Sequence, residues 1–395
     1  MCTTYLGAVL CDRLESEGFS ISGRFLIRLN PNAKHKTRGN AAVCIECTGD
    51  RKKAFDIACG LVEELAEFDC ENTNPGVVVS DGPVSEDFYF KALRDFCTIE
   101  EAEELLEKSG SLYRGWKIKR GLIGAAAAVS AVLPDFTFEL LAYRDHRQKG
   151  IRCVDKSSVF LSEEMTTPHT WDSVDTKNRV VVCVPHTPDP VLYGIRGDSP
   201  EWVLKGGSYI AGEIPVRKMI YQTNQGTDAH LIDASIAEIK EGRSYRLSGT
   251  VSSAPVTGTG GHVSFELEDG GFTVRCMAYE PTKNFRDIVR ELRPGDRILV
   301  CGSYKGESIN LEKICIDSLA EDFLIKPPLC GSCKRRMTSA GLNKGYKCRI
   351  CGAREAEPEK EVLKRTLKPG WYEVPPVARR HLSKPLVRGM NIITD

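Results

Sequence analysis

Two short cysteine pairs, Cys330-Gly-Ser-Cys333 and Cys348-Arg-Ile-Cys351, set the firmest limit on what this chain can fold into. Each C-x-x-C turn aims two thiols at one point. Two such turns give four thiolates within tetrahedral reach of one Zn²⁺. The 14-residue spacer between the pairs is slightly short of the usual range but fits a zinc ribbon. A redox role would need one C-x-x-C on a thioredoxin-like unit, and the sequence has no such pattern. Residues 330–351 carry six Lys/Arg and no acid, so a structural zinc module that binds nucleic acid is the natural reading.

Charge supports that reading. The 395 residues sum to zero formal charge, unevenly spread. From Cys330 to Asp395 there are 15 Lys/Arg against 6 Asp/Glu, an excess of nine, and the preceding residues carry the opposite excess. A basic end on an acidic body suits a polyanion held by that end, with a solvated tail as the plain alternative. The last forty residues, with Trp371, Tyr372 and basic pairs, read as an extended arm.

Length implies two to four domains. The longest apolar run, Leu122 to Leu133, is too short to span a bilayer, and no signal-type segment opens the chain. Twelve of the sixteen cysteines stand singly in apparent strands and helices, as buried free thiols do, so a cytoplasmic, reducing compartment is expected.

Between residues 243 and 318 the pattern is clear. Tyr245–Val251, His262–Leu267, Phe272–Ala278, Arg297–Gly302 and Ser308–Cys315 read as strands with near-alternating apolar residues, and 284–292 reads as a helix. Five strands with a helix between the third and fourth is the order of an OB-fold, which often binds single-stranded nucleic acid.

The first 240 residues alternate strands and helices, giving an α/β or α+β body. Asp50 is placed to cap a helix, and Thr98 with Glu101 to form a capping box. The loop 30–40, N-P-N-A-K-H-K-T-R-G-N, gathers Lys34, Lys36 and Arg38 before a glycine. It could hold phosphate or be a solvated turn. No G-x-x-x-x-G-K-[ST] is present. Gly121-Leu-Ile-Gly124 opens an Ala-rich helix, where small residues admit either a phosphate or close helix packing. Short strands are read at 158–161, 180–184 and 192–195.

Tyr221 to His230, Y-Q-T-N-Q-G-T-D-A-H, has eight residues whose side chains hydrogen-bond, between two apolar anchors. Such a run is not expected in a core. It is either a turn or a surface facing a polar ligand. Asp228, and Asp198 after G-I-R-G, are carboxylates beside glycines and could receive an amine or guanidinium; singly, each also reads as a turn aspartate.

Taken together, M-C-T-T-Y-L-G, R-L-N-P-N…K-T-R-G-N, G-L-I-G-A, Y-G-I-R-G-D-S-P and T-N-Q-G-T-D-A-H, followed by the OB-fold and ribbon, resemble the archaeal-type agmatidine synthetases over essentially the whole chain. The resemblance implies an enzyme that uses ATP to activate C2 of the first anticodon cytidine in the isoleucine tRNA with a CAU anticodon. Agmatine then displaces that oxygen, and the modified base pairs with A. It implies four parts. These are a kinase-type ATP-binding domain over 1–150, a ferredoxin-like domain with the amine pocket over 151–240, the OB-fold over 241–325, and the zinc ribbon with basic arm over 326–395. Thr3 is implied in phosphoryl chemistry. Lys36, Arg38, Asn40, Gly121 and Gly124 are expected at ATP, and Asp198, Thr223, Asn224, Gln225 and Asp228 at agmatine. The expected cofactors are ATP, Mg²⁺ and structural Zn²⁺. The family normally opens with an aspartate-rich loop of the type G-I-D-D-T-D-S before M-C-T-T, expected to bind Mg²⁺. The sequence here starts at Met1, inside M-C-T-T, and two readings stay open for it: a catalytically complete ligase, or a chain that binds tRNA without catalysis. Two other functions fit: a non-catalytic single-strand-binding protein, and a ligase for another amine such as lysine or spermidine.

Overall fold

The computed structural model describes residues 2–36, 39–148 and 150–389. Helix α1 (Thr3–Ser16) leads into an antiparallel pair, β1 (Ser20–Arg28) and β2 (Ala41–Thr48). Asp50 caps α2 (Arg51–Leu65), its Oδ1 accepting from the Lys53 amide at 2.6 Å. β3 (Gly76–Val79) is followed by α3 (Glu86–Arg94) and α4 (Ile99–Lys108), and pairs with β4 (Leu112–Gly115). The capping box of Thr98 and Glu101 forms on α4. α5 (Gly121–Val129) lies against β3 so closely that a Cβ on Gly121 would sit 2.4 Å from the Gly76 nitrogen. Backbone packing therefore requires that glycine.

The next unit runs β5 (Thr137–Tyr143), α6 (Lys156–Thr166), β6 (Thr170–Trp171), a small hairpin of β7 (Val174–Asp175) and β8 (Val180–Val181), β9 (Val191–Gly197), α7 (Pro200–Tyr209) and β10 (Arg217–Thr223). Its strands stand in the order β10-β5-β9-β6, a split βαβ arrangement of the ferredoxin-like kind. β1 joins the edge of β10 in parallel and brings β2 with it, making one six-stranded sheet. The expected division at 150/151 cuts this unit. β5 precedes it, yet pairs on both sides with strands that follow it. Residues 158–161, read as strand, lie inside α6, where Ser158, Val159, Ser162 and Thr166 are buried at helical spacing. A four-residue apolar run fits either element, and tertiary packing decides.

The barrel follows β11 (Leu231–Asp233) and matches the sequence reading closely. It comprises β12 (Ser244–Val251), the short β13 (Val256–Thr257), β14 (Val263–Asp269), β15 (Phe272–Ala278), α8 (Phe285–Arg290), β16 (Arg297–Lys305) and β17 (Ser308–Ser318). β12 pairs with both β14 and β16, and β15 with β17, so the sheet closes on itself. Leu247, Phe265, Val274, Val300 and Ile314 fill it, each buried. β18 (Asp322–Lys326) starts a stalk that carries β19 (Thr338–Ser339), β20 (Tyr346–Lys347) and β21 (Arg354–Glu355) and returns as β22 (Glu359–Leu363). β23 (Gly370–Glu373) then pairs with β17.

Residues 374–389, which follow β23, do not form a free arm. Arg379 is bound to Asp172 at 2.9 Å and Arg388 to Asp135 at 2.8 Å, so this segment straps the barrel to the ferredoxin-like unit. The multidomain α+β architecture expected from the sequence is the one observed. Among the described residues no helix is long and apolar enough to cross a membrane.

Candidate active-site cavity and tRNA interface

A cavity of about 2850 Å³ opens between the N-terminal elements and the six-stranded sheet. One wall is the start of α1, with β2 and the β3–α5 packing. The other is the face of β5 and β9 carrying Glu139, Leu141, Gly194 and Arg196, with the strap residues 376–382 beside it. α1 is fixed there by apolar packing of Tyr5 and Ala8 against Leu141, Tyr143 and Tyr221. The Tyr221 hydroxyl donates to Thr4 O at 2.8 Å. Burial raises Tyr143 and Tyr221 well above the ordinary phenol range, so both remain neutral anchors.

Thr3, Lys36, Asn40, Gly121 and Gly124 all line this cavity. Thr3 is exposed on the first turn of α1, which no side chain caps. Lys36 donates to Pro31 O, and its ammonium is lowered by burial and then by the charges of Arg380 and Lys305. Asn40 takes a left-handed turn, φ 48°, and donates to Asn30 O. Arg38 lies outside the described residues.

The expected amine site does not assemble. Thr223, Asn224 and Gln225 are at most 1% exposed and Asp228 is 7% exposed. Thr223 Oγ1 accepts locally from the Gln225 amide at 3.2 Å, and the polar groups of Asn224, Gln225 and Asp228 are satisfied by distant parts of the chain. Asn224 brackets the Arg28 backbone, accepting from its amide at 2.8 Å and donating to its carbonyl at 2.9 Å. Gln225 donates to Glu139 at 2.5 Å. Asp228, at φ 61°, receives the fully buried Lys313 ammonium at 2.7 Å and the Lys384 amide at 2.7 Å. His230 meets Glu312 of β17 at 3.2 Å. Burial alone would raise Glu312, but His230, Arg380 and Lys313 outweigh it and hold the carboxyl at about 2. The T-N-Q-G-T-D-A-H stretch is therefore a joint between sheet, barrel and strap. Asp198 stands apart, 44% exposed and bound to His169 at 2.7 Å, and neither it nor Asp228 lines the cavity.

The cluster of Arg28, Glu139 and Arg196 at the cavity wall was missed in the sequence. Only cross-strand register brings it together, with Glu139 opposite Arg196.

The zinc ligands do converge. The Sγ atoms of Cys330, Cys333, Cys348 and Cys351 lie within 4.8 Å of one another. A tetrahedral Zn–S₄ site has sulfur edges of about 3.8 Å, so the four thiols fit the ion. Both knuckles have the same turn. The amides of Lys334 and Gly352 return to the carbonyls of Cys330 and Cys348, with φ 52° and 77°. Lys334, Arg335, Lys344, Lys347 and Arg349 are exposed on this ribbon.

A closed OB barrel and a Cys₄ ribbon, strapped to a two-domain body with a large cavity, define a nucleic-acid-binding protein with a small-molecule site. Family profiles cover most of the chain: TiaS TCKD domain at residues 1–53 and 46–117, TiaS FLD domain at 119–230, OB-fold nucleic acid binding domain at 245–307, and TiaS C-terminal zinc ribbon domain at 327–367. The chain is 51% identical to TiaS, the isoleucine-tRNA 2-agmatinylcytidine synthetase, of Methanocorpusculum labreanum, over 98% of this chain and 94% of that protein. It is 48% identical to the enzyme of Methanosarcina mazei, over 98% and 94%. The crystal structure of TiaS in complex with its isoleucine tRNA and ATP is 45% identical, with a TM-score of 0.92 over 100% of this chain and 95% of that one. The complex of TiaS with the same tRNA, AMPCPP and agmatine is 42% identical, with a TM-score of 0.89 over 100% and 94%. The chain belongs to the TiaS family of isoleucine-tRNA 2-agmatinylcytidine synthetases.

Proposed function

We propose that this protein uses ATP to join agmatine to C2 of the first anticodon cytidine in the isoleucine tRNA with a CAU anticodon, in the cytoplasm and with Mg²⁺ on the triphosphate. The observation that carries the reading is the cavity itself. It exceeds the roughly 300–1,000 Å³ that one small ligand needs, so a nucleotide and an extruded base can share it. Crystal structures of relatives alike over nearly the whole chain are complexes of an isoleucine tRNA with ATP, or with AMPCPP and agmatine.

Thr3, Lys36, Asn40 and Gly124 serve the nucleotide, with Gly121 setting the backbone approach that shapes their wall. Thr3 faces the phosphates in the phosphoryl chemistry. Agmatine enters the same cavity rather than the T-N-Q-G-T-D-A-H joint, and its attacking amine has to lose its proton in a dry surround. The barrel and zinc ribbon hold the tRNA, and the ferredoxin-like unit extends from about residue 119 to 230. The test is ATP consumption measured with each partner omitted in turn. Turnover should require both tRNA and agmatine. Tight tRNA binding with no turnover dependent on the two together would favour the non-catalytic reading instead.

A further inference from the structure

Among the described residues, one arginine fork in the cavity has no hydrogen-bond partner. Arg196 on β9 stands directly opposite Glu139 on β5, and Glu139 directly opposite Tyr221 on β10. The three form one row across the sheet. Tyr221 ends that row on the first turn of α1, through its bond to Thr4 O. Arg196 reaches Glu139 through Nε at 3.3 Å. Among the described residues, its two terminal nitrogens make no hydrogen bond, although the side chain is only 20% exposed. Arg28 approaches the same carboxylate, at 3.8 Å. Glu139 is further engaged by Gln225 at 2.5 Å.

Two guanidinium groups therefore share one carboxylate. His381, beside them, adds no negative charge. Its imidazole is held well below its ordinary range by Arg28, by burial and by Arg196, and stays neutral. Both guanidinium groups line the cavity on the same wall as Glu139. The terminal nitrogens of Arg196 open onto the cavity, where an anionic ligand can reach them. A planar fork of two N–H donors matches a phosphate bidentately.

We propose that Arg196, set by Glu139 and reinforced by Arg28, is a phosphate-binding fork of the reaction cavity. Its ligand is a phosphate group, carried in by ATP or by the tRNA backbone beside the anticodon cytidine. The fork lines the same cavity as Lys36 and Asn40 and would extend the anion site to the ferredoxin-like sheet. This rests on the reading of the cavity as the reaction site. The assays are therefore binding assays, so that failure of the ligation and failure of the fork are told apart.

Affinities for ATP, by calorimetric titration, and for the isoleucine tRNA, by filter retention at fixed salt, are measured for Arg196→Gln, Arg196→Lys and the double variant Glu139→Gln/Arg196→Gln. Arg196→Gln should weaken one of the two ligands by about ten- to a hundredfold and leave the other unchanged; the one that weakens is the source of the phosphate. The double variant should remain weak, because it restores the charge balance around Glu139 but not the fork. Arg196→Lys keeps a cation beside Glu139, and with it the fold, but lacks the fork. It should weaken the same ligand and serves if the glutamine variant does not fold. Wild-type affinity for both ligands in Arg196→Gln or Arg196→Lys would overturn the proposal. So would recovery of affinity in the double variant, since Arg196 would then only neutralise Glu139.

Discussion

Asp228→Asn separates a structural joint from a ligand pocket. Asparagine keeps the side-chain shape and tolerates the left-handed φ of 61° at this position. It removes the charge that meets Lys313, whose side chain is 0% exposed. Lys313 keeps the Lys384 carbonyl, at 2.7 Å, and the neutral amide oxygen of the asparagine, but no countercharge at this position. Leaving one member of a buried ion pair uncompensated costs about 3–5 kcal/mol. A folded domain holds only about 5–15 kcal/mol in all, so the loss is a large fraction. At about 2–4 °C per kcal/mol, melting should fall by about 6–20 °C. Scanning calorimetry reads this, alongside the KM for agmatine. The double variant Asp228→Asn/Lys313→Met should recover most of the stability, because no buried charge is then unpaired. An unchanged melting temperature together with a raised agmatine KM would refute the reasoning and return this stretch to the ligand.

Cys330→Ser should lose the zinc by metal analysis and weaken tRNA binding, with ATP affinity unchanged; retention of one zinc per chain would contradict the Cys₄ assignment. tRNA affinity should fall steeply with salt, and neutralising Lys344 and Lys347 together should flatten the log–log slope by about 1.4–1.8, because these exposed ribbon cations meet phosphates. Lys36→Ala should weaken ATP binding in direct titration, and unchanged ATP affinity would remove Lys36 from the nucleotide site. Burial raises the Glu163 carboxyl from 4.5 to about 7, partly offset by the Ser173 amide bonded to it, so the stability it contributes is complete below 4.5 and lost as pH rises through 7. Glu163→Gln should therefore melt like the wild type at pH 4.5, and above it at pH 8 by the equivalent of about 3 kcal/mol; equal differences at both pH values would argue against a buried, titrating carboxyl.

The parts legible in the sequence are those whose physics is local. The barrel strands show alternating burial because one face of each meets a single core. The zinc ligands of each pair sit three positions apart because a knuckle is one turn long. The caps at Asp50 and Thr98 are three-residue relations. What stayed hidden depends on partners far along the chain. The polar run at 221–230 looked like a surface, since its acceptors and donors are Arg28, Glu139, Lys313 and the strap backbone at 381–384, none of them near in sequence. The basic tail looked free because Asp135 and Asp172, which hold Arg388 and Arg379, come 253 and 207 residues earlier. Arg196 and Glu139 become a pair only once β5 and β9 are in register. The N-terminal lysine loop read equally as a phosphate holder or a solvated turn, and only the fold places its Lys36 on the same cavity as Thr3.

The central claim is the joining of agmatine to one cytidine of one tRNA. The direct measurement is mass spectrometry of nuclease fragments of the isoleucine tRNA with a CAU anticodon, after incubation with the protein, ATP and agmatine. The expected result is an ATP-dependent gain equal to agmatine less one water, confined to the fragment holding the first anticodon cytidine. An unmodified anticodon fragment under conditions where tRNA and ATP are bound, or a gain matching a different amine supplied in competition, would contradict it.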